Sequence, residues 1–333
     1  MARHSKISWT DDTFNPWMGC TRVSPACRLC YAERLMDHRY HRVEWGPGKP
    51  RVRTLIENWN KVRKWNRTPF YEAVIAGKTV RGELMDITRF HRELGAIHTS
   101  IYESRRRVFT ASLADIFDHE VDPAWRRDFF DLVKECPNID FLVLTKRPEL
   151  IGSQMVEATG IPMDEVRNGP QGWNFKKHLP NVLLGVTAET QEYLVSRTPW
   201  LFRHPASLHW LSAEPQLGPL HFVFKPYEGV ITEWNALTGT GWNDNAAFGI
   251  GGQYGWVISG GESGEPSDLE RLSILDPEWV RNVRDECATA RVPFHFKQWG
   301  NRTHDHPNEY RAKTVTGHLL DGVEHFNFYD PIQ

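Results

Sequence analysis

Residues 140–145 read Asp-Phe-Leu-Val-Leu-Thr and run directly into the polar segment Lys-Arg-Pro at 146–148. A nearly continuous apolar run of this length, ended by polar residues and a proline, is typical of a β-strand buried on both faces, as in a parallel sheet. Other runs share this form, with an apolar stretch followed at once by polar residues. They lie at 108–112, 182–186, 208–212, 256–259 and 293–296, and a further candidate strand lies at 7–9.

Stretches with the pattern of amphipathic helices separate several of these strands. Asp122 and Asp276 stand at predicted N-cap positions, and each is followed by a proline at the first helical position. Strand–helix alternation predicts βαβ units with right-handed crossovers. We therefore expect an α/β fold, a full or partial TIM-like (β/α) barrel, in which the carboxyl ends of the strands form the functional face.

The 333 residues are expected to form a single barrel domain, 1–333. Two stretches depart from the alternation. Residues from about 39 to 107 have no clear strand and indicate a helical insertion or lid, whereas residues from about 233 to 254 are rich in glycine, asparagine and threonine and indicate a flexible loop. A C-terminal extension is expected at about 300–333, with a strand-like segment at 314–316.

Three of the five cysteines lie within eleven residues, as Cys20, Cys27 and Cys30. A C-x6-C-x2-C cluster can present three thiolates to one point, one fewer than a closed structural zinc site or an ordinary iron–sulfur cluster needs. The open position indicates a cluster whose unique iron binds a substrate or cofactor. Cys136 and Cys287 lie near the ends of predicted helices, where a lone cysteine usually behaves as a small buried hydrophobe.

The composition narrows the class of protein. The odd cysteine count, with no signal peptide and no apolar run long enough to span a bilayer, disfavours a secreted disulfide scaffold and predicts a cytoplasmic location. The formal net charge of −2 neither favours nor disfavours binding to nucleic acid. No P-loop, Rossmann or H-E-x-x-H motif is present, which disfavours nucleoside triphosphate, dinucleotide and zincin chemistry.

A basic stretch lies between residues 49 and 67, with seven Lys or Arg against the single acid Glu57 and with Trp59 and Trp65 interleaved. Residues 105–107 add a second, all-arginine cluster. Basic side chains can contact phosphates and indole rings can stack on unpaired bases. Candidates for such contacts are Arg63, Lys64 and Arg67; the alternative is a solvated helix face with the tryptophans turned to the core.

The segments 15–21, 24–27 and 30–33 resemble the three-cysteine-motif family found in phages and bacteria. Its members are usually described as phage proteins of unknown function. The family in turn resembles radical S-adenosylmethionine (SAM) enzymes. The matching motifs continue in order to about residue 300. They are Leu-Thr-Lys-Arg-Pro at 144–148, Leu-Gly-Val-Thr at 184–187, Ser-Ala-Glu-Pro at 212–215, Gly-Gly-Glu-Ser-Gly at 260–264 and Phe-Lys-Gln-Trp-Gly at 296–300.

The resemblance implies a radical SAM barrel with a [4Fe–4S] cluster on Cys20, Cys27 and Cys30 and with SAM on the open iron. An electron from a flavodoxin- or ferredoxin-like donor would split SAM into methionine and a 5′-deoxyadenosyl radical that abstracts a substrate hydrogen. Two features depart from the commonest pattern. Six residues separate the first two cysteines, rather than three. The Gly-Gly-Glu element lies late in the chain, at 260–262, whereas in the wider superfamily it commonly follows the second strand. The equivalent position in this chain is residues 112–115.

Polar residues at strand ends, and Tyr31 after the last cysteine, are the candidates for binding SAM. These are Tyr31, Ser112, Asp115, Lys146, Arg147, Thr187, Glu189, Glu214, Gly260, Gly261 and Glu262. Carboxylates could hold the ammonium or the ribose hydroxyls, glycines allow close approach of the backbone, and Lys146 and Arg147 could take the SAM carboxylate or a substrate phosphate. Lys297 and Gln298 could contact substrate. The alternative for each residue is a salt bridge at the rim or a helix cap.

The basic stretch and the phage association suggest a nucleobase substrate, for example rearrangement of an amino-acid-modified thymidine in hypermodified phage DNA; the location would then be the bacterial host cytoplasm. A base within a duplex would have to be flipped out. Whether the enzyme is an isomerase, a lyase or a transferase stays open. Two other classes remain: a zinc-dependent hydrolase or nuclease with His or Asp as fourth ligand, and a non-catalytic nucleic-acid-binding protein with a cysteine-ligated zinc.

Overall fold

The computed structural model describes residue 5 and residues 7–75, 78–94, 100–164, 172–225, 233–242, 247–249 and 252–329. Its centre is a seven-stranded sheet in which all neighbouring strands are parallel and the spatial order follows the chain order. The strands are β1 (Asp12–Phe14), β2 (Arg106–Thr110), β3 (Ile139–Thr145), β4 (Val182–Thr187), β5 (His209–Ala213), β6 (Trp256–Ser259) and β7 (Phe294–Phe296). The sheet curls into a half-barrel, compatible with a partial TIM-like barrel.

The six strands predicted from 108 onward are present with ends shifted by no more than two residues. The strand predicted at 7–9 was wrong, because the first strand of the sheet begins at Asp12. The indole of Trp9 instead packs on the rings of Phe109, Trp210 and Trp256. Its apolar character reflects a place in the core rather than in the sheet.

Helices follow several of the strands. The long crossover helices span Pro123–Glu135, Ile151–Thr159, Gln191–Phe202 and Pro277–Ala290, and a short one spans Phe175–His178. Asp122 and Asp276 are the predicted N-caps, and their carboxylates accept hydrogen bonds from the amides of Ala124 and Glu278, both at 2.8 Å. Cys136 and Cys287 are buried at helix ends, as predicted.

Two apolar layers lie on opposite faces of the curled sheet. The larger packs under the crossover helices. The smaller consists of Trp9, Phe109, Leu142, Leu183, Trp210, Trp256, Ile258 and Tyr329. Alternate residues of each strand supply the two layers, as Val108 and Phe109 show. A Cβ on Gly185 would lie 2.3 Å from the Trp210 ring, so this glycine makes room for the indole. Part of the high tryptophan content therefore fills the inside of the half-barrel.

The insertion at 39–107 is only partly helical. It contains helices at Ile56–Arg67 and Leu84–Leu94, but also an antiparallel sheet of Phe70–Ile75, Lys78–Gly82 and Ile101–Ser104, and Val52–Arg53 pairs with Trp17–Met18. Arg81 bonds Asp11 and the carbonyl of Arg105, which come just before β1 and β2. This sheet therefore covers the amino ends of the strands. Arg106 and Arg107 are buried, so residues 105–107 do not form a free basic cluster.

Outside the half-barrel, the loop expected at 233–254 is partly strand. Glu233–Asn235, Thr240–Trp242 and Ala247–Gly249 join Val223–Phe224 in a four-stranded antiparallel sheet, while 243–246 and 250–251 lie outside the described residues. In the C-terminal extension, the strand-like segment 314–316 is helical, within Lys313–Thr316. A hairpin of Leu319–Leu320 and Val323–Glu324 follows, and 330–333 are not among the described residues. No described helix is long and apolar enough to cross a membrane.

Candidate metal centre at the carboxyl ends of the strands

The three clustered cysteines lie on the segment that leaves the carboxyl end of β1. Cys27 ends a 3₁₀ turn, Pro25–Cys27, and Cys30 caps the helix Tyr31–Glu33, which continues as a π-helix over Arg34–Arg39. All three side chains are half-buried, in contrast to the fully buried Cys136 and Cys287. Below, residues 20–30 are called the cysteine segment. Its position is the functional face that the parallel sheet predicts.

Cys20 is fastened to the ends of β2 and β3 by a buried ion pair. The guanidinium of Arg147 donates to Cys20 Sγ at 3.6 Å and to the Thr21 carbonyl at 2.7 Å, and it pairs with Asp115 at 2.9 Å. Asp115 also accepts hydrogen bonds from Thr145 Oγ1 (2.8 Å) and from the amides of Lys146 and Phe117 (both 3.0 Å). Both predicted residues are thus at the site, with their polar atoms bonded to the chain itself.

A second ion pair, which sequence reasoning missed, supports the same end of the segment. Buried Arg51 donates to Asp118 at 2.7 and 2.9 Å and also bonds Glu120. Thr21 Oγ1 joins the group by donating to Glu120 at 2.8 Å and accepting from Arg51 at 2.8 Å. The only indication of this pair in the sequence is a second acidic residue, Asp118, three positions after Asp115.

The other end of the cysteine segment is attached to the loop after β6. Arg28 donates to Glu262 at 3.4 Å and to the carbonyl of Arg271 at 2.6 Å. Glu262 also accepts from the Ser273 amide at 2.8 Å. Just beyond the segment, the hydroxyl of Tyr31 donates to the carbonyl of Ser112 at 2.5 Å. The late Gly-Gly-Glu element therefore helps to hold Cys27 and Cys30 in place.

The two glycines of this element have different surroundings. A Cβ on Gly261 would lie 2.0 Å from the carbonyl oxygen of Trp299, so the absence of a side chain serves backbone packing against residues 299–300. A Cβ on Gly260 would lie 3.0 Å from Glu214 Oε1 and 3.5 Å from the Lys297 side chain. Gly260 therefore borders the polar groups of the barrel mouth, whereas Gly261 is in contact with backbone.

Two buried carboxylates at strand ends each have one oxygen with no hydrogen-bond partner among the described residues. Glu189 pairs with Arg197 at 2.9 Å, and Arg197 also bonds the carbonyl of Thr187 at 2.8 Å. Oε1 of Glu189 and Oε1 of Glu262 are buried and have no hydrogen-bond partner within the described ranges. Buried carboxylate oxygens are normally hydrogen-bonded. These two atoms therefore suit a ligand with donors, such as an ammonium or ribose hydroxyls.

The remaining predicted residues surround the mouth of the half-barrel. Glu214, after β5, accepts from Trp9 Nε1 at 3.2 Å and pairs with Lys297 at 2.7 Å. Gln298 donates to Ser263 Oγ at 2.7 Å, and the hydroxyl of Ser112 bonds the side-chain amide of Asn15. Lys146 is half-buried, and its positive charge opposes the effect of burial by lowering the pKa of the Cys30 thiol.

The three thiols match the donor type and number of a cluster with one open iron. Burial raises the pKa of the Cys20 thiol to about 12, although the Arg147 guanidinium opposes this, and burial also raises the pKa of Cys30. Both are therefore thiols at neutral pH, and binding a metal would release their protons. Within the described chain no three Cys, His, Asp or Glu are already arranged as a metal site. To bind iron, the Cys20 sulfur would have to give up its contact with the Arg147 guanidinium.

The structure does not bring Arg63, Lys64 and Arg67 to this site. Arg63 donates to Glu135 at 2.8 Å, and Glu135 ends the helix that leads into the amino end of β3. Lys64 and Arg67 lie on the same helix, Ile56–Arg67. The interleaved Trp59 is buried and Trp65 packs against the core. These contacts fit the solvated helix face that was the alternative for this stretch.

Comparisons with known proteins give one match. Searches of curated proteins and of solved structures each found none. A protein-family profile matches residues 4–329, which is nearly the whole chain, and its description is "Protein of unknown function (DUF5131)". The chain therefore belongs to this family of proteins of unknown function.

Proposed function

We propose that this chain is a radical SAM enzyme with a [4Fe–4S] cluster on Cys20, Cys27 and Cys30. The observation that carries the proposal is the attachment of the cysteine segment at the carboxyl ends of a parallel sheet from two sides. Arg147 and Asp115 hold one end, and Arg28 and the Glu262 loop hold the other. Once bound and reduced, the cluster would supply the one electron that cleaves SAM into methionine and a 5′-deoxyadenosyl radical, which abstracts a hydrogen atom from the substrate.

The chain's own residues supply the placement of SAM. Oε1 of Glu189 and Oε1 of Glu262, which have no partner among the described residues, would accept hydrogen bonds from its ammonium or ribose hydroxyls. Lys146 offers a positive charge to an anion beside Cys30. The aromatic layer around Trp9 and Trp210 fills the inside of the half-barrel, and Trp9 joins it to the strand-end residues through its bond to Glu214.

An electron donor of the flavodoxin or ferredoxin type is part of the proposal, because the cluster must be reduced. Cys30 lines a surface cavity together with Arg22, Arg28, Leu29, Arg34 and Arg271. Electron transfer needs the cluster to lie close to the surface that the donor touches. The cavity brings one cysteine ligand to that surface.

The substrate remains proposed as a modified nucleobase, such as an amino-acid-modified thymidine in phage DNA. The support for this substrate is the resemblance to phage-borne proteins. The proposal assigns no substrate contact to Arg63, Lys64 and Arg67, since their helix lies by the amino ends of the strands. The zinc alternatives need a fourth ligand beside the three cysteines. Among the described residues no group of three Cys, His, Asp or Glu is arranged to hold a metal of any kind, so this observation favours neither a cluster nor zinc.

The test is the cleavage of SAM by protein reconstituted anaerobically with iron and sulfide and reduced with dithionite. We expect 5′-deoxyadenosine and methionine by mass spectrometry, lost in Cys27→Ala and retained in Cys136→Ala. Cys136 is a matched control because it is buried in a remote helix end. Stoichiometric zinc with no 5′-deoxyadenosine would refute the proposal and favour the zinc alternatives.

A further inference from the structure

The outer side of the cysteine segment forms one wall of a surface cavity of about 110 Å³. The opposite wall comes from the 3₁₀ helix Pro266–Arg271. The lining is rich in arginine, with Arg22, Arg28, Arg34 and Arg271. Of the three clustered cysteines, Cys30 alone lines this cavity. The cavity therefore connects the cysteine site with the protein surface.

Direct contacts across the cavity hold these arginines together. Arg28 donates to the carbonyl of Arg271 at 2.6 Å and to Glu262 at 3.4 Å. Arg34 and Arg271 share the carboxylate of Asp268, at 3.1 and 3.6 Å. The two walls are thus joined by the arginines themselves, and their guanidinium groups have fixed places in one surface.

The charges of this surface are separated by depth. Three guanidinium groups face solvent, with 45–56% of each side chain exposed, on Arg22, Arg28 and Arg271. Their carboxylate partners lie deeper, with 3–14% exposed, on Glu33, Glu262 and Asp268. Arg34 is 26% exposed, and its second partner, Glu265, is 55% exposed. Four arginines therefore match four carboxylates in number, but the outermost layer has three positive charges against one negative charge.

The cysteine site does not reverse this arrangement. An oxidised [4Fe–4S]²⁺ core on three thiolates would carry one negative charge. SAM has a sulfonium, an ammonium and a carboxylate, and so carries one positive charge. The loaded site would be balanced within itself, and the exposed arginines remain the charges that a partner meets first.

Apolar side chains lie among the exposed arginines. Val23 is 41% exposed, Pro25 is exposed, and Leu29 is half-buried in the lining of the cavity. Protein interfaces combine apolar groups with a polar rim and are enriched in arginine. Nucleic acid is contacted mainly through its phosphates, for which apolar groups offer nothing. The composition of this surface therefore favours a protein partner.

Reduction of a cluster requires a donor to come close to one of the cysteine ligands, and Cys30 reaches the surface in this cavity. We propose that the surface formed by Arg22, Arg28, Arg34 and Arg271 docks the acidic face of a one-electron carrier protein. Carboxylates of the carrier pair with the outward guanidinium groups, which have further N–H donors to offer. The carrier is oxidised by one electron and the cluster is reduced from [4Fe–4S]²⁺ to [4Fe–4S]⁺. This inference rests on the proposed function and names its electron-donating partner.

The first test measures binding by the metal-free, full-length chain at low salt, so that its result is independent of cluster formation. The probes are two acidic carriers, a flavodoxin and a plant-type ferredoxin, and the basic carrier cytochrome c. We expect an acidic carrier to bind and cytochrome c not to bind. Arg22→Gln and Arg271→Gln should each weaken binding about threefold, and the double variant about tenfold, as expected for losing exposed ion pairs.

Two further variants separate a lost surface from a damaged fold. Arg63→Gln is the matched control, because Arg63 is 33% exposed and paired with Glu135 at 2.8 Å, by the amino ends of the strands. It should leave binding unchanged. Glu265→Gln removes the exposed carboxylate of the surface and should strengthen binding about twofold, a change that misfolding cannot produce.

The second test measures reduction of the reconstituted protein. Reduced flavodoxin should reduce the cluster about tenfold more slowly in the double variant than in the wild type at low salt. The difference should disappear at about 1 M salt, where the Debye length is about 3 Å. Excess dithionite, a small molecule that needs no docking surface, should give the same final amount of reduced cluster in both proteins.

Several results would overturn the inference. Neither acidic carrier binding, cytochrome c binding as tightly as they do, or a loss in Arg63→Gln as large as in Arg22→Gln would each do so. Binding of a single-stranded 12-mer oligodeoxynucleotide through the same arginines, without binding of a carrier, would assign the surface to nucleic acid instead. A cluster that cleaves SAM but is reduced by flavodoxin equally fast in the double variant would contradict this inference alone. Carrier binding through the arginines in a chain that forms no cluster would contradict the proposed function alone.

Discussion

The buried pair of Asp115 and Arg147 offers a quantitative test of how the cysteine segment is held. Asp115 is 5% exposed and Arg147 4%, and the two are joined at 2.9 Å. Removing one partner of a buried ion pair typically costs about 3–5 kcal/mol, because the other charge is left uncompensated. In Asp115→Ala, Arg147 keeps its bond to the Thr21 carbonyl and Asp118 at 4.0 Å. We therefore expect the lower end, about 3 kcal/mol of lost unfolding free energy.

The assay is urea unfolding followed by tryptophan fluorescence, with a double-mutant cycle. Asp115→Ala with Arg147→Met removes both charges, so the double variant should be more stable than Asp115→Ala alone by about 1 kcal/mol or more. Glu44→Ala is a control, since Glu44 is paired with Lys49 at 2.6 Å but both side chains are exposed. It should unfold like the wild type within error. A loss below about 1 kcal/mol in Asp115→Ala, or a double variant less stable than the single one, would show that the ion pair does not hold this part of the fold together.

Two further predictions concern stability away from this pair. Gly261→Ala should lower the unfolding free energy by about 2 kcal/mol or more, because its Cβ would lie 2.0 Å from the Trp299 carbonyl oxygen. Gly218→Ala is the control, since there is open space around Gly218, and it should unfold like the wild type. Equal urea midpoints for the two variants would contradict this prediction. Burial lowers the pKa of His209 to about 4 and of His295 to about 3. The unfolded chain takes up protons below about pH 6.5 that the folded chain refuses, so unfolding free energy should fall from pH 6.5 towards pH 4. A flat profile over that range would show that these histidines are not held neutral.

The strands of the central sheet could be predicted because they are buried on both faces, which makes their sequences continuously apolar. The strands Phe70–Ile75 and Lys78–Gly82 escaped detection for the opposite reason. They form a partly exposed antiparallel sheet, in which charged residues such as Glu72 and Arg81 interrupt the apolar pattern. Trp9 looked like part of a strand because the inside of the half-barrel selects the same apolar residues as a sheet does.

The candidate site could likewise be predicted only in part. The spacing of the three cysteines and the polar strand ends predicted which residues gather at one face. The partners of those residues could not be predicted, because Arg147 reaches Cys20 across 127 positions and Arg28 reaches Glu262 across 234. Such pairings depend on the curl of the sheet, which brings residues far apart in the chain to the same face. Asp115 and Arg147, predicted to bind a cofactor, accordingly bond the chain itself.

Electron paramagnetic resonance of the anaerobically reconstituted, dithionite-reduced protein, recorded with and without SAM, decides whether Cys20, Cys27 and Cys30 hold an iron–sulfur cluster. We expect a [4Fe–4S]⁺ signal that changes when SAM is added. The signal should be absent in Cys27→Ala and unchanged in Cys287→Ala, whose cysteine is buried in a crossover helix. A protein that takes up zinc but forms no cluster, or a cluster signal that survives in Cys27→Ala, would contradict the account.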